Sequence, residues 1–400
     1  MLNHMMKLVW KRKTRHLMVS LEILIAFVLV FGVLAFGARM AQLYSMPIGF
    51  SYTDVWSVRM RTADRDYRNS DPARYDAFRR SVEAMPQVEK VAFSTYSPYG
   101  RQIQRTDFVA PGGGGRVFVH MQSASDDYAA TAAVPLLQGR WFSAQDDGAG
   151  AIPVVIDRGL AQRLFPGQSA LGREFSDSEP DDKSPRTLKV VGVIEGFRSQ
   201  GELMSPVYFM FVRFVAATSS DSVGTILIKT RPGTARGFEA DLNRRLKLVR
   251  NDLSYEIAPL ADLRADILNS AFIPLIVFAV IAVFMLLMVA FGLFGVLWQS
   301  TSARIPEIGL RRAVGASRAA IYGQIIGEQL LLSTLAMALA LLLLVQLPLT
   351  RAFGDSLNWQ VFGAASALSM GVIYLLSLAC SLYPAWRASR MSPTQALHYE

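Results

Sequence analysis

Residues 271–298 read AFIPLIVFAVIAVFMLLMVAFGLFGVLW, a run of 28 residues without a charged side chain. As an α-helix this run would be about 42 Å long, whereas the hydrocarbon core of a bilayer is about 30 Å thick. The run therefore predicts a transmembrane helix. Its excess length predicts that the helix tilts or protrudes, and we expect it to protrude toward the domain that precedes it.

Three further apolar blocks are long enough to span a bilayer, at residues 17–38, 329–349 and 361–384. The first could be a secretory signal peptide, but its apolar run exceeds the roughly 7–15 residues of a cleavable one. This length favours an uncleaved anchor. The last block is expected to end at Pro384, because proline removes a helical hydrogen bond.

Basic side chains are concentrated in residues 1–16, 299–328 and 385–400, whereas the loop at 350–360 holds only Arg351. The positive-inside rule places these three segments, and both termini, in the cytoplasm. Residues 39–270 then form one large domain outside it. The rule also accounts for much of the net charge of +9, which argues against a nucleic-acid-binding protein.

The segment 39–270 has the mixed pattern of an α+β domain. Proline at a first helical position and Asx caps predict helix starts, and short apolar runs predict strands. The fold class is therefore a membrane protein with four transmembrane α-helices and a large α+β extracytoplasmic domain between the first and second. The predicted elements are a helix from Asp71-Pro72 that buries Tyr75, Phe78 and Val82, a strand at Ile152–Ile156 followed by a helix capped by Asp157, strands at Leu188–Ile194 and Thr225–Ile228, and a helix opened by Thr234 that buries Phe238, Leu242 and Leu246.

Motifs of catalysis are missing from the sequence. No two of the four histidines have a metal-ligand spacing, and neither a nucleophile elbow nor a Walker A motif occurs. Cys380 is the only cysteine and lies in the last apolar block. Glu22 is the only charge in the first block; it is expected to lie near the headgroups, with a mechanistic role as the alternative.

The segment between the second and third blocks carries the most specific pattern, and residues 302–318 read SARIPEIGLRRAVGASR. Gly315 permits a turn with positive φ, and Ser317 can cap a new short helix with Ile321 and Ile325 on one face. The pattern predicts an amphipathic turn and helix at the cytoplasmic surface. Such a helix either lies on lipid headgroups or docks a cytoplasmic partner.

Residues 307–317, EIGLRRAVGAS, resemble the cytoplasmic loop of the MacB/FtsX-like ABC transporter permeases of the separate-ATPase type. The following EQLLLS at 328–333 and the tail PAWRASRMSP at 384–393 are similar to the same family. The segments GRWF at 139–142, LAQRLF at 160–165 and VVGVI at 190–194 resemble its periplasmic domain. Residues 45–138 match the family least.

The resemblance implies a non-catalytic permease subunit in the bacterial inner membrane, with no cofactor in this chain. ATP and Mg would be bound by a cytoplasmic ABC ATPase dimer. A second permease chain, identical or a sister permease, and a possible periplasmic partner complete the complex. The residues expected to dock the ATPase are Arg304, Glu307, Gly309, Arg311, Arg312, Gly315, Ala316, Ser317 and Arg318.

The function that the resemblance implies is export or extracytoplasmic handling of a peptide, lipid, lipoprotein or drug, by mechanotransmission through the helices. An FtsX-like transmembrane signalling device that regulates an extracytoplasmic enzyme is the alternative. A membrane-anchored enzyme or receptor without an ATPase is a third hypothesis, and the lack of a catalytic constellation speaks against it.

Overall fold

The computed structural model describes residues 13–61, 72–100, 102–110, 115–176, 186–217, 219 and 223–390. Contacts divide the chain into two compact units. One, here called the inserted domain, is Leu43–Ser270; the other, the helical unit, comprises the residues before and after it. The described helices are α1 Lys13–Tyr44, α2 Pro72–Glu83, α3 Tyr128–Ala132, α4 Arg158–Leu164, α5 Phe238–Val249, α6 Leu260–Ser302, α7 Ile305–Ala313, α8 Arg318–Leu344, α9 Gln346–Leu349 and α10 Trp359–Arg390.

Four helices of the described residues are long and apolar enough to cross a membrane. These are α1, α6, α8 with its extension α9, and α10. The inserted domain, with both helices and strands, lies between the first and the second of them. The predicted fold class is thereby confirmed. Each helix extends beyond its apolar block, because helical geometry continues into polar flanks that water can solvate.

Two predicted helix boundaries in the helical unit are wrong. The new helix capped by Ser317 is not short, because α8 runs without a break from Arg318 to Leu344 as part of the third span. The last span does not end at Pro384, because α10 continues to Arg390. Proline is tolerated inside spanning helices where neighbours compensate for the lost hydrogen bond, and Pro384 is buried.

Small side chains line the buried face of α10. Ala365, Ser369 and Ser377 are fully buried at spacings of four or eight residues, and small residues let membrane helices approach closely. The Ser377 hydroxyl lies 2.7 Å from the hydroxyl of Ser333 on α8. Glu22 on α1 is exposed, and its carboxylate lies so close to Gly292 that a Cβ there would be 2.7 Å from it.

The inserted domain is built on one mixed sheet. Its strands are β1 Val55–Arg61, β2 Val88–Ser94, β3 Gln104–Val109, β4 Arg116–Ala124, β5 Leu136–Gly139, β6 Ile152–Asp157, β7 Glu174–Ser176, β8 Thr187–Ile194, β9 Phe209–Arg213, β10 Thr225–Thr230 and β11 Ser254–Pro259. The order across the sheet is β11-β1-β10-β2-β4-β9-β6-β8-β5, with β3 beside β4 and β7 beside β8. The pairs β4/β9 and β6/β8 are parallel, and the others are antiparallel.

The sheet has a narrow seam between β2 and β4, where the ladder consists of the single pair Ser94 and Ala124. On one side of the seam α2 and α5 cover the sheet with a core that includes Phe78 and Leu242. On the other side α4 contributes to a second core. A third, aromatic core that includes Phe209 and Phe211 crosses the seam on the opposite face, so side-chain packing compensates for the short ladder.

Most predicted elements of the inserted domain occur. Tyr75, Phe78 and Val82 are buried on α2, which begins at Pro72, while Asp71 lies outside the described residues. The strand predicted at Ile152–Ile156 is β6, and those at Leu188–Ile194 and Thr225–Ile228 are β8 and β10. The helix start at Thr234 is wrong. Its hydroxyl donates to the Arg231 carbonyl in a turn, and α5 begins at Phe238.

The side chain of Asp157 connects three elements: strand β6, of which it is the last residue, helix α4 and strand β9. Its carboxylate accepts hydrogen bonds from the Gly159 amide at 2.9 Å, which caps α4 as predicted, and from the Phe209 amide at 2.7 Å, at the start of β9. The side chain is buried. Burial raises the pKa of this carboxyl to about 6, although the backbone amides oppose the shift.

We expect Asp157→Ala to lower the free energy of opening around β9 by about 1–3 kcal/mol, because the buried amide of Phe209 loses its acceptor. Hydrogen exchange at the Phe209 amide, in the full chain in detergent, measures this free energy. Glu195→Ala is the matched control, since its carboxylate forms an exposed ion pair with Arg158 and should change exchange little.

The loss of stability caused by Asp157→Ala should also depend on pH. The pKa of Asp157 is about 6 in the folded chain and 3.8 for a free side chain. Between these values the folded state binds the proton more tightly, so wild-type stability rises relative to the variant as pH falls from about 6 to about 4. If the stability difference between wild type and Asp157→Ala instead shrank as pH fell from about 6 to about 4, the raised pKa of Asp157 would be contradicted.

Candidate functional site

Helix α7 lies between α6 and α8 and has one buried and one exposed face. Ile305 and Gly309 are buried, whereas Leu310 and Val314 are 61% and 83% exposed. Residues four apart share one face of a helix, so these two apolar side chains form one exposed patch at the end of α7. Exposed apolar pairs on a well-anchored helix are suited to contact another surface.

The turn after α7 is fixed by Gly315. Its φ is +103°, in the region that glycine adopts without strain. The Gly315 amide donates to the Arg312 carbonyl at 3.1 Å, and the Ala316 amide donates to the Arg311 carbonyl at 3.0 Å. These two bonds form a Schellman motif. The predicted positive φ is confirmed.

Ser317 then begins the next helix, as predicted. Its hydroxyl oxygen accepts a hydrogen bond from the Ala320 amide at 3.2 Å, the usual arrangement of an N-cap serine. Ile321 is buried, and Ile325 is half-buried on the same face of α8. The turn at Gly315 therefore lies between a short helix, α7, and the long spanning helix α8.

A chain of polar contacts anchors α7 to α8. The Arg304 guanidinium donates to the Glu328 carboxylate at 2.7 Å, and the Gln324 amide nitrogen donates to the same carboxylate at 3.0 Å. Arg311 donates to the Gln324 carbonyl oxygen at 2.9 Å and to the Glu307 carboxylate at 2.5 Å. We call these five residues, Arg304, Glu307, Arg311, Gln324 and Glu328, the polar chain.

The polar chain differs in exposure from end to end. Arg304 and Glu328 have side chains that are each 18% exposed, whereas Glu307 is 53% exposed. Exposed ion pairs contribute about 0–1 kcal/mol, and partly buried pairs depend more strongly on both partners. The inner pair is therefore expected to hold α7 in place, and the outer pair to contribute little.

The remaining predicted residues fall into two groups. Arg312 donates to the Ser389 carbonyl at 3.1 Å, which ties α7 to the end of α10. Arg318 and Ser317 are exposed, and Ala316 is half-buried in the turn. The structure thus brings the nine predicted residues into one segment. Several of their side chains face the chain's own helices rather than solvent.

The sequence-based prediction took residues 304–325 as the docking surface but did not single out four residues that the structure shows to matter there. Gln324 and Glu328 belong to the polar chain, and Leu310 and Val314 form the exposed patch. The signal was present in their spacing. Glu307/Arg311, Leu310/Val314 and Gln324/Glu328 are each four residues apart, so each pair shares a helical face once the helices are known.

A second polar cluster lies in the inserted domain, where α1 ends and α6 begins. The Arg264 guanidinium donates to the Glu202 carboxylate at 2.5 Å and to the Tyr44 hydroxyl at 3.0 Å. It also lies 4.6 Å from the centre of the Tyr52 ring. Tyr99 donates to the same carboxylate at 3.3 Å. We call Tyr44, Tyr52, Tyr99, Glu202 and Arg264 the Glu202 cluster.

The central ion pair of the Glu202 cluster is largely withdrawn from water, whereas Tyr44 at its edge is exposed. The Glu202 side chain is 9% exposed and that of Arg264 is 21% exposed. Burial, followed by the charge of Glu202, raises the pKa of the Tyr99 hydroxyl, which therefore stays a hydrogen-bond donor. The hydrogen bond from Arg264 to Glu202 raises the pKa of the guanidinium. The Arg264–Glu202 ion pair thus forms the centre of the cluster, and the three tyrosines surround it.

Arg198 reinforces the same region. Its guanidinium donates to the Leu43 carbonyl at 2.9 Å and to the Met46 carbonyl at 3.1 Å, and it also contacts the Glu202 carbonyl. The last carbonyls of a helix lack intrahelical partners, and a cation satisfies them well. Arg198 thus fastens the end of α1 to the loop that carries Glu202.

Catalytic chemistry finds no support in the described residues. No group of three or more histidine, cysteine or carboxylate side chains among them is placed to hold a metal ion. The carboxylates of the polar chain and of the Glu202 cluster form ion pairs with arginines. The polar chain and the Glu202 cluster each connect helices or loops through charged hydrogen bonds.

These features define a multi-pass membrane protein with a large α+β domain inserted between its first two spanning helices. Residues 18–244 match the MacB-like periplasmic core domain, and residues 279–393 match the FtsX-like permease C-terminal domain. The first match alone covers more than half of the chain. The chain therefore belongs to the MacB/FtsX-like family of ABC transporter permeases.

Several known proteins are similar to this chain over about two thirds of its length. The macrolide export ATP-binding/permease protein MacB of Bdellovibrio bacteriovorus is 25% identical over 271 residues, which cover 66% of this chain and 41% of that protein. The uncharacterized ABC transporter permease YknZ of Bacillus subtilis is 23% identical over 288 residues, which cover 69% of each. The chain thus spans less than half the length of that MacB relative.

Solved structures of the corresponding domains are similar at low identity. The periplasmic region of MacB from Actinobacillus actinomycetemcomitans is 15% identical, covers 57% of this chain and superposes with a TM-score of 0.38. The extracellular domain of the transporter YknZ is also 15% identical, covers 50% of this chain and has a TM-score of 0.34.

We expect Glu328→Ala to loosen α7, because it leaves Arg304 and Gln324 without their shared acceptor. Hydrogen exchange of the α7 amides in the full chain in detergent should become at least about fivefold faster. Glu307→Ala is the matched control, since it removes the exposed end of the polar chain and should change exchange less than twofold. Equal effects of the two variants would contradict the assigned role of Glu328.

Proposed function

We propose that this chain is the permease subunit of an ABC transporter. It couples ATP hydrolysis by a separate cytoplasmic ATPase dimer to export or extracytoplasmic handling of a peptide, lipid, lipoprotein or drug. Family membership supports the class of machine. The single observation that carries the coupling role is α7, a short helix with an exposed apolar patch that the polar chain anchors to a spanning helix.

The docking surface that we propose is the exposed side of α7 and its turn. Leu310 and Val314 supply the apolar contact, and Arg318 supplies an exposed positive charge beside it. Arg304, Arg311 and Arg312 hold the helix in place from the other side. The proposal differs from the sequence-based prediction, in which Arg311 and Arg312 either contact the ATPase or anchor the segment at the membrane surface.

The orientation that we propose places α7 and both termini in the cytoplasm of a bacterial inner membrane. The distribution of arginine and lysine supports it, because the segment joining α6 to α8 is basic and the last turn of α10 carries Arg387 and Arg390. Residues 350–360 and the inserted domain then lie on the outer side. ATP and Mg would be bound by the partner ATPase, and this chain would hold neither.

A second permease chain is also part of the proposal. The most apolar window of α6 is only 11% buried, compared with 28–39% for the other three spans. A helix left so exposed within one chain has surface available for another protein. We propose that a second permease, identical or a sister chain, covers part of α6. A periplasmic partner of the inserted domain is a further part of the proposal.

Mechanotransmission is the mechanism that the inserted domain supports best. Helix α6 is 43 residues long and continues from the inserted domain into a membrane span. The Glu202 cluster and Arg198 bind the beginning of α6 and the end of α1 to one loop of the inserted domain. A displacement of either helix would therefore reach that loop directly. A signalling device that regulates an outer enzyme would use the same parts, but the macrolide-export relatives favour transport.

We expect Leu310→Asp or Val314→Asp to weaken ATPase binding at least about tenfold, because a central apolar contact commonly contributes more than 1 kcal/mol to an interface. The measurement is retention and stimulated ATP hydrolysis of the ATPase that co-purifies with the full chain. Phe353→Asp is the matched control, since it makes the same change at an exposed residue of the opposite loop. Unchanged retention in both α7 variants would contradict docking there.

We expect Gly315→Pro to leave membrane insertion intact and to abolish the stimulation of ATP hydrolysis. Proline fixes φ near −65°, whereas Gly315 has φ +103° and donates a hydrogen bond that proline lacks. The Schellman turn, and with it the angle between α7 and α8, would change. Normal stimulation by a correctly inserted variant would show that the turn is not required for coupling.

We expect Arg264→Glu to disconnect the inserted domain from ATP hydrolysis, because it places a second carboxylate beside Glu202. ATP-dependent changes in hydrogen exchange of the inserted domain should disappear while basal hydrolysis persists. The double variant Glu202→Arg with Arg264→Glu should restore at least part of the response. Arg236→Glu, which breaks only the exposed pair with Asp262, is the matched control. An unchanged ATP-dependent change in hydrogen exchange in Arg264→Glu would contradict the proposal that the Glu202 cluster links the inserted domain to ATP hydrolysis.

A further inference from the structure

Four aromatic rings form a continuous stack at the ends of α6 and α10. Phe294 lies 6.1 Å from Trp298, Trp298 lies 5.9 Å from Tyr383, and Tyr383 lies 6.2 Å from Trp386. The rings of Trp298 and Tyr383 are nearly parallel, with an angle of 6° between them. Tryptophan and tyrosine are enriched at the boundary between hydrocarbon and headgroups, and we call these four residues the aromatic stack.

Two arginines lie on the aromatic stack. The Arg387 guanidinium is 4.4 Å from the centre of the Trp298 ring, and that of Arg390 is 4.5 Å from the Trp386 ring. Both side chains are exposed. Within the part of the chain that the structure describes, neither guanidinium has a hydrogen-bond or ion-pair partner. Stacking occupies the flat face of a guanidinium and leaves its N–H edge directed at other acceptors.

The described acidic side chains of the helical unit do not neutralise Arg387 and Arg390. Glu307 and Glu328 are paired with Arg311 and Arg304 in the polar chain. Within the described residues no carboxylate lies within 4.0 Å of Arg387 or Arg390. The two guanidinium edges therefore present a positive surface to which an external anion can bind.

An exposed apolar stripe leads along α10 to the arginines. Leu375, Leu378 and Leu382 are 70%, 37% and 42% exposed, and Trp386 and Arg390 continue the same face at spacings of four residues. In a membrane helix, exposed leucines of this kind contact acyl chains. A ligand that fits the whole surface has an apolar tail along the leucines and an anionic head at the arginines.

We propose that the aromatic stack, Arg387 and Arg390 form a binding site for an anionic phospholipid. The phosphate would accept hydrogen bonds from the guanidinium edges, and the acyl chains would lie along the α10 leucine stripe. Guanidinium groups bind phosphate oxygens in bidentate fashion. The leucine stripe favours a lipid over a free phosphate or a soluble partner, since neither would cover it. This inference does not depend on the proposed transport function.

The site makes a quantitative prediction about lipid preference. A charge-assisted hydrogen bond from an arginine to a phosphate in a defined site contributes at least about fivefold in affinity. We expect Arg387→Gln to lower the preference of the full chain for phosphatidylglycerol over phosphatidylcholine about fivefold, and Arg387→Gln with Arg390→Gln to lower it about 25-fold. Trp298→Leu should lower it at least about twofold with the charges unchanged, because the platform that orders Arg387 is lost.

Native mass spectrometry of the full chain, taken from nanodiscs of 70% phosphatidylcholine and 30% phosphatidylglycerol, measures the lipids that remain bound. Arg318→Gln is the matched control, because it removes an exposed arginine of the same unit that stacks on no aromatic ring. Its effect should stay below twofold. Circular dichroism of each variant confirms that the helices remain formed.

Two outcomes would overturn the proposal. An equal loss of phosphatidylglycerol in Arg387→Gln and Arg318→Gln would mean general attraction of basic segments to an anionic surface, without a site. Unchanged lipid retention, combined with loss of a co-purifying ATPase in the Arg387→Gln, Arg390→Gln variant, would assign the arginines to a protein contact instead.

Discussion

Backbone N–H and C=O groups find no water inside a bilayer, and each unpaired group there would cost several kcal/mol. Helices satisfy these groups internally, and this requirement explains why α1, α6 and α10 are unbroken over their apolar blocks and why only Val345 separates α8 from α9. Helix α10 passes through Pro384, which is buried, because neighbouring helices can compensate for the one hydrogen bond that a proline removes. The irregular turn at Gly315 lies beyond these blocks.

The same requirement governs the side chains. Inside the helical unit, buried hydroxyls such as Ser333 and Ser377 bond to each other across helices. The charged residues are concentrated where spans end, and there they fix the connecting elements, as Arg304 and Glu328 do for α7. In the inserted domain Arg264 and Glu202 do the same at the beginning of α6. Each end of α6 thus lies near a charged pair.

Much of this architecture could be predicted from the sequence, because span length, cap residues and glycine conformations are local properties. The Gly315 turn, the Ser317 cap and the buried face of α2 are examples. The contacts between distant residues could not be predicted. Glu202 and Arg264 are 62 residues apart, and Trp298 and Tyr383 belong to different helices. Only the fold brings these residues together, so neither the Glu202 cluster nor the aromatic stack could be predicted from residue spacing or composition. The predicted start of α5, the short length predicted for α8 and the helix end predicted at Pro384 were wrong, because local capping and proline signals were weighed without tertiary packing.

The central claim is that this chain works as the membrane half of an ATP-driven machine. Purification of the tagged full chain from its native membranes, with identification of every co-purifying protein, tests that claim most directly. The account predicts an ABC ATPase in a near one-to-one ratio with this chain, and ATP hydrolysis by the purified complex. Recovery of the intact chain with no nucleotide-binding protein, under mild detergent conditions that preserve other membrane complexes, would contradict it.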